Sequence, residues 1–300
     1  MRIVVNTPTG NIGRPLVEAL LARGAEVTLI ARSPDKVRDF EARGARVVQG
    51  SIDDPAVIDR ALEGAGALFW LSPPAFRPDF YDWATGAAKQ AAEAVRRRDV
   101  KRVVVLSSVG AQSGRGSGPV GILLEIEDAF RAVAPEVVAL RPGYFMENVF
   151  RNLDTIVKAG AIFSPVPADV KVPTVATKDI AAVAAEELAG KGGGHRIRGV
   201  HGPADISAAD QAAILSEVLH LPVKYVQVPV EAAEKGMLDA GLPDFAVAMY
   251  GDMYRAILDG RMNPAEPRSA ETTTPTTFAD FVAEAVRPAV LAQLPPQPAA

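Results

Sequence analysis

The stretch NTPTGNIG, Asn6 to Gly13, lies between the apolar run RIVV (residues 2–5) and the helix-like PLVEALLARG (15–24). Strand, tight turn and helix in that order open a βαβ unit. Gly10 and Gly13 have the last two spacings of a G-x-x-G-x-x-G phosphate turn. Gly10 lets the backbone approach a pyrophosphate, and Gly13 lets the helix pack against its strand. The first N–H groups of the helix and its positive dipole end favour the phosphates. Thr9 and Asn11 add polar side chains. Thr7 takes the first glycine position, so the turn must avoid positive φ there or tolerate it with strain. An ordinary strand–helix loop could carry the same two glycines; what favours a dinucleotide is the place of this one in a series.

The series continues through EVTLI (26–30), ARVVQG (45–50), ALFWLS (67–72), KRVVVLSS (101–108) and PEVVALRPG (135–143), which with RIVV read as six strands. Helical stretches separate them: PLVEALLARG, PDKVRDFEARG, PAVIDRALEG, FYDWATGAAKQAAEAVRRR and GILLEIEDAFRAV. The strands are apolar almost throughout, as both-face burial requires. The fold predicted is α/β, a Rossmann-type doubly wound parallel sheet with a smaller α+β C-terminal substrate region. The nucleotide-binding domain is placed at residues 1–150, with a return helix within 172–190. The substrate region is placed at 151–290 and a patternless tail at 291–300. HRIRGVHG (195–202) and VKYVQVP (223–229) read as isolated strands, while SAADQAAILSEVL, AVAMYGDMYRAILDG and FADFVAEAVRPAVL read as helices.

Composition narrows the function. Apolar residues make up 48% of 300, enough for a large core, and the formal charge of −4 gives no electrostatic case for nucleic acid or an anionic membrane. There is no cysteine, so thiolate nucleophiles and thiolate metal sites are excluded. The three histidines, His195, His201 and His220, lack metal-ligand spacing, and no metal is expected. No apolar span has membrane length, so the default expectation is a cytoplasmic protein. Composition says nothing of oligomeric state.

The end of the second strand discriminates between dinucleotides. An Asp or Glu there would hold a ribose 2′-OH, whereas LIARSPDK places Arg32 at that point, with Lys36 nearby. A guanidinium suits a 2′-phosphate, so the cofactor expected is NADP(H).

Several blocks together resemble one family. TPTGNIG, RPGYFMEN (141–148), VATKDIAAVAAEEL (175–188), the run 202–229 and TTPTTFADFVAE (273–284) are similar to NmrA-like proteins, atypical members of the short-chain dehydrogenase/reductase superfamily. The resemblance covers nearly the whole chain. It implies an NAD(P)-binding Rossmann domain and either a reductase of quinones, triarylmethanes and other aromatics or a redox-sensing regulator. It implies that Thr7, Thr9, Asn11 and Ile12 line the pyrophosphate and that Arg32 meets the 2′-phosphate. Ser51, Ile52 and Asp53 would flank adenine, and Leu71, Ser72 and Pro73 would lie beside the nicotinamide ribose. Ser107 and Ser108 end the fifth strand, and Tyr144, Phe145, Glu147 and Asn148 would face the nicotinamide.

The chain also departs from that pattern. The superfamily's Tyr-x-x-x-Lys pair is missing; the helix after the fifth strand has Leu123 and then Glu127. Tyr144 is the remaining candidate proton donor, with Ser107 and Ser108 as orienting hydroxyls. Phe76, Phe80, Tyr81, Tyr144, Phe145, Met146, Phe150, Phe163, Met249 and Tyr250 could wall a cleft for a flat apolar ligand. The reading put first is an NADPH-dependent oxidoreductase of a quinone-like or polycyclic aromatic molecule. The alternative is a non-catalytic NADP(H) sensor.

Overall fold

The computed structural model describes residues 1–190 and 192–293. The six expected strands are all present: β1 (Arg2–Asn6), β2 (Glu26–Ala31), β3 (Arg46–Gln49), β4 (Ala65–Trp70), β5 (Arg102–Leu106) and β6 (Glu136–Pro142). Three short strands come next, β7 (Tyr144–Phe145), β8 (Ala161–Ser164) and β9 (Val172–Val175), and after a helix the seven-residue β10 (Gly194–Val200). Among the described residues the main sheet has seven strands, in the order β10-β6-β5-β4-β1-β2-β3. Every pairing in it is parallel.

Alternate residues face opposite layers, and both layers are covered. Val4, Leu68, Trp70, Val103 and Val105 join one core cluster, with Ile58, Ala88, Ala91, Ile126 and Phe130. Those residues come from helices α3 (Pro55–Ala61), α4 (Phe80–Arg97) and α5 (Leu123–Arg131). Ile3, Val5, Phe69 and Val104 join the other cluster, with Leu16, Phe40, Ile180 and Ala184. These helical residues belong to α1 (Gly13–Ala22), α2 (Arg38–Glu41) and α7 (Thr177–Ala189), the chain having passed through α6 (Leu153–Ala159). Two-sided burial is why the strands read as unbroken apolar runs.

The structure corrects the reading of HRIRGVHG as an isolated strand. It is β10, the edge strand of the main sheet, registered on β6 from Gly194↔Glu136 to Val200↔Pro142. Its polar sequence hid it because an edge strand has one open side. Arg198 Nη1 reaches the buried Glu187 Oε1 at 2.6 Å, and Arg196 pairs with the same carboxylate. VKYVQVP is not isolated either: its core, Lys224–Gln227, pairs in parallel with β8, a strand the sequence pattern did not signal.

The C-terminal region packs a third cluster around Met146, Ile156, Leu215, Leu219, Phe278, Phe281 and Val282. Two capping boxes start its helices, Ser207 with Asp210 and Thr277 with Asp280. The last expected helix is broken into Phe278–Phe281, a π turn at Val282–Val286, and Arg287–Leu291 with Pro288 in its first turn. Proline lacks the N–H that a continuous ladder requires. Of the expected tail, residues 294–300 lie outside the described residues. Among the described residues, no helix is long and apolar enough to cross a membrane.

Candidate cofactor site and acceptor cleft

Because the strands are parallel, their carboxyl ends share one edge of the sheet, and the order reverses between β1 and β4. A crevice at such a switch point is where open α/β sheets bind ligands. Two hydrogen bonds define its floor: Asn6 Nδ2 donates to the Leu71 carbonyl at 2.8 Å, and the Leu71 N–H donates to Asn6 Oδ1 at 2.9 Å. Asn6 is fully buried.

The turn above this floor is strained. Thr7 adopts φ 53°, the left-handed region, where a β-branched residue is an outlier. Such strain, of about 1–3 kcal/mol, persists where the surroundings demand it, often at ligand clamps. The Thr7 hydroxyl is buried and has no hydrogen-bond partner among the described residues. A Cβ on Gly13 would overlap the Thr7 carbonyl oxygen and stand 3.1 Å from Pro8 Cα, so the chain itself requires glycine there. Gly10 differs: a Cβ would meet only Thr7 O, at 3.7 Å, and the residue is exposed. Its freedom from a side chain serves whatever approaches from outside. Helix α1 begins with no side-chain cap and no acidic residue in its first turn. Among the described residues, the N–H groups of Asn11, Ile12 and Gly13 have no protein acceptor. Orphan hydroxyl, open glycine and free N–H groups together fit a pyrophosphate.

The remaining expected cofactor residues have different environments. Thr9 and Asn11 are exposed at the turn, but Ile12 packs its side chain into the core and offers only its backbone. Arg32 and Lys36 are exposed at the end of β2 and pair with no carboxylate among the described residues. Ile52 is buried with the α3–α4 layer, so it cannot present its side chain to a ligand. Asp53 accepts from Trp83 Nε1 at 2.7 Å. Hydrogen bonds from Ser51 and then Trp83 hold its carboxyl below the usual range. Ser72 accepts from Trp70 Nε1 at 3.1 Å, and Pro73 is half-buried beside it.

Ser107 is not a free hydroxyl. It is buried and donates to Glu127, which is itself fully enclosed. Glu127 also takes Arg141 Nε at 3.0 Å and Nη2 at 2.9 Å, and Arg131 Nη2 at 2.8 Å. Arg141 in turn meets Glu266 Oε1 at 2.8 Å. This alternation of charges satisfies buried groups that would otherwise be costly. It fixes the ends of β5 and β6 as a rigid wall. Ser108 is half-buried, and its hydroxyl makes no hydrogen bond among the described residues.

Tyr144 follows β6 and pairs through β7 with Thr174 of β9. Tyr144 is 45% exposed. Desolvation first, then the neighbouring Tyr254 phenol, pushes its pKa up to about 12, against smaller opposing effects of Arg151 and a hydrogen bond to Asn148. The phenol is a proton donor throughout the neutral range. Phe145 turns the other way and packs on the α1–α7 core. Glu147 does not face the cleft: its Oε1 accepts the Thr177 N–H at 2.9 Å and the Thr177 hydroxyl, capping α7.

Other expected cleft residues separate into two groups. Met249 is buried and its backbone packs on Gly118, so it belongs to the core. Phe80 is core as well, its ring tilted against those of Tyr81 and Trp83. Phe76 is 62% exposed, on the segment between β4 and α4. Tyr250 lies under the Arg151 guanidinium, 5.7 Å from ring centroid to Cζ. Arg151, Tyr225 and Tyr254 had no signal in the sequence beyond the i, i+4 spacing of Tyr250 and Tyr254.

Comparison with known proteins shows the family and the fold. A family model described as NAD(P)H-binding matches residues 8–191. The NAD(P)H azoreductase of Xenophilus azovorans is 28% identical over 255 residues, covering 84% of this chain and 86% of that protein. A (4-alkanoyl-5-oxo-2,5-dihydrofuran-3-yl)methyl phosphate reductase of Streptomyces griseus is 32% identical over 247 residues, covering 82% and 84%. In structure, the chain is similar to the Citrobacter sp. triphenylmethane reductase in complex with NADP(H). That match has a TM-score of 0.79 at 22% identity and covers 94% and 99% of the two chains. The chain belongs to the NAD(P)H-binding family, in keeping with the NmrA-like, atypical short-chain dehydrogenase/reductase resemblance of its sequence.

Proposed function

We propose that this protein is an NADPH-dependent reductase of a quinone-like or polycyclic aromatic small molecule. The observation that carries the reading is the placing of two features on one sheet edge. The strained, donor-rich turn Thr7–Gly13 lies at the switch point, and the half-open phenol of Tyr144 follows β6 along the same edge. When bound, the nicotinamide supplies the hydride. The chain's own residues hold and orient. The turn cradles the pyrophosphate, Arg32 and Lys36 meet the 2′-phosphate, and the Ser107–Glu127–Arg141 wall keeps the nicotinamide side rigid. Tyr144 bonds the acceptor and gives it a proton, which an electron-poor aromatic needs less urgently than a ketone does. In this reading residues 1–150 with 172–190 hold the cofactor, and 151–290 close the acceptor side. The relative named as an NAD(P)H azoreductase supports a reductase of this kind.

A second reading, a non-catalytic NADP(H)-responsive regulator, draws on one observation. The Ser107 proton is committed to Glu127, which leaves fewer free donors than a ketone reductase has. NADPH consumption, followed at its absorbance across a panel of quinones and azo dyes, separates the two. Turnover with none of them would overturn the reductase.

A further inference from the structure

Among the described residues the C-terminal region holds an apolar cavity of about 210 Å³. Its lining includes Met146, Thr174, Ala204, Ile206, Ile214 and Phe278. No expected cofactor residue lines it, and of the expected cleft walls only Met146 does. It is nonetheless close to the acceptor side in the chain: Thr174 is the register partner of Tyr144, and Met146 follows Tyr144 by two residues. The surroundings hold its walls apart. Ile206 is pinned to Val172 by strand pairing, Ile214 belongs to the helix Ala208–Leu219, and Phe278 opens the helix Phe278–Phe281. Both helices start in capping boxes. A Cβ on Gly202 would overlap the Thr174 carbonyl oxygen, so the loop before Ile206 already sits as near β9 as the backbone permits.

The chemistry of the lining is one-sided. No ionisable side chain among the described residues lines the cavity. Its two hydroxyls are engaged within the protein. That of Thr174 donates to the Val172 carbonyl at 3.3 Å. That of Thr277 donates to Asp280 Oδ2 at 2.6 Å and accepts the Asp280 N–H at 3.0 Å. A water in such a space needs about two to four polar partners, whereas an apolar cavity of about 150 Å³ stays dry and takes up benzene. The lining atoms lack dispersion partners on the cavity side, which an apolar ligand supplies. The Met146 thioether is flexible and polarisable, suited to the edge of a ring. We propose that this cavity is a ligand site distinct from the cofactor crevice, for an uncharged hydrocarbon-like molecule the size of one aromatic ring. It holds whether or not the protein oxidises NADPH.

Calorimetric titration of the full chain with toluene and with phenol, two rings of like size, tests this. Toluene should bind about tenfold or more tightly than phenol, whose hydroxyl would give up water for a cavity that offers it no partner. Ala204 is exposed where it lines the cavity, so Ala204→Phe should fill the space and leave the denaturation midpoint unchanged. Toluene affinity should then fall by about tenfold or more. Ala279→Leu should have the same effect from the half-buried helix side, which makes the test independent of either variant alone. Toluene binding that survives in both folded variants would overturn the proposal. So would equal affinity for toluene and phenol, or no uptake of toluene by the unaltered protein.

Discussion

Asn6 and Leu71, 65 residues apart, exchange two hydrogen bonds through the Asn6 side chain and so lock β1 to β4 where the strand order reverses. An amide is the one side chain that can both donate and accept in this way from a fully buried position. Asn6→Ala should destabilise the protein by about 2–3 kcal/mol, two lost bonds plus the Leu71 groups left unpaired. Urea denaturation measures it. Asn6→Asp keeps the acceptor but opposes a carboxylate to the Leu71 carbonyl, and should be no better than alanine.

The two glycines of the turn should respond differently. Gly13→Ala drives a methyl into the Thr7 carbonyl and should cost about 1–3 kcal/mol of stability, as overpacking does, together with cofactor binding. Gly10→Ala has room in the protein, so its denaturation curve should match the unaltered protein while NADPH affinity drops by about tenfold or more. A Gly10→Ala variant that binds NADPH normally would remove the pyrophosphate from this turn.

Arg32 is the candidate reader of the 2′-phosphate. Arg32→Ala should weaken NADPH by about 1–3 kcal/mol, the range for charge-assisted hydrogen bonds, and leave NADH unchanged. Titration with both cofactors decides it. Equal losses would assign Arg32 another role.

Tyr144 bears on how protons reach the acceptor. With its pKa pushed up to about 12, the phenol stays protonated across the working range. It should therefore put no break in the pH–rate profile between about pH 6 and 9. Tyr144→Phe keeps the ring and should lower turnover by about 10²–10⁴-fold with NADPH affinity held. Unaltered turnover in that variant would make solvent the proton source.

His201, 2% exposed with an unpartnered Nε2, has its pKa lowered by burial and then by Arg268. The folded state thus binds a proton less readily than the unfolded chain. The stability that this contributes is complete above the unfolded value of about 6.5 and is lost as pH falls through the lower folded value. The stability difference between the unaltered protein and His201→Gln, from denaturation midpoints at about pH 7.5 and pH 5, should shrink at the lower pH. A constant difference would show that His201 does not titrate in this window.

The six strands from Arg2 to Pro142 were legible because both sheet faces are covered, so each strand carries its burial in its own composition. The glycine turn was legible for a similar reason: Gly13 answers to the Thr7 carbonyl six residues before it, within one local unit. Arg32 followed from the same unit, by its distance along the chain.

What the tertiary structure alone decided involves partners that sequence spacing does not connect. Gly194–Val200 became a strand of the main sheet because α7 carries the chain back beside β6, and its open edge let polar residues stand where apolar ones would have marked it. Ser107, which reads as a free hydroxyl at a strand end, lost that freedom to Glu127, whose burial depends on how α5 docks. Ile52 and Met249 turned inward to the core, while Arg151 came to stand over the Tyr250 ring of a distant helix. Local periodicity records which face of an element is buried, but which faces meet is set by packing across the whole chain.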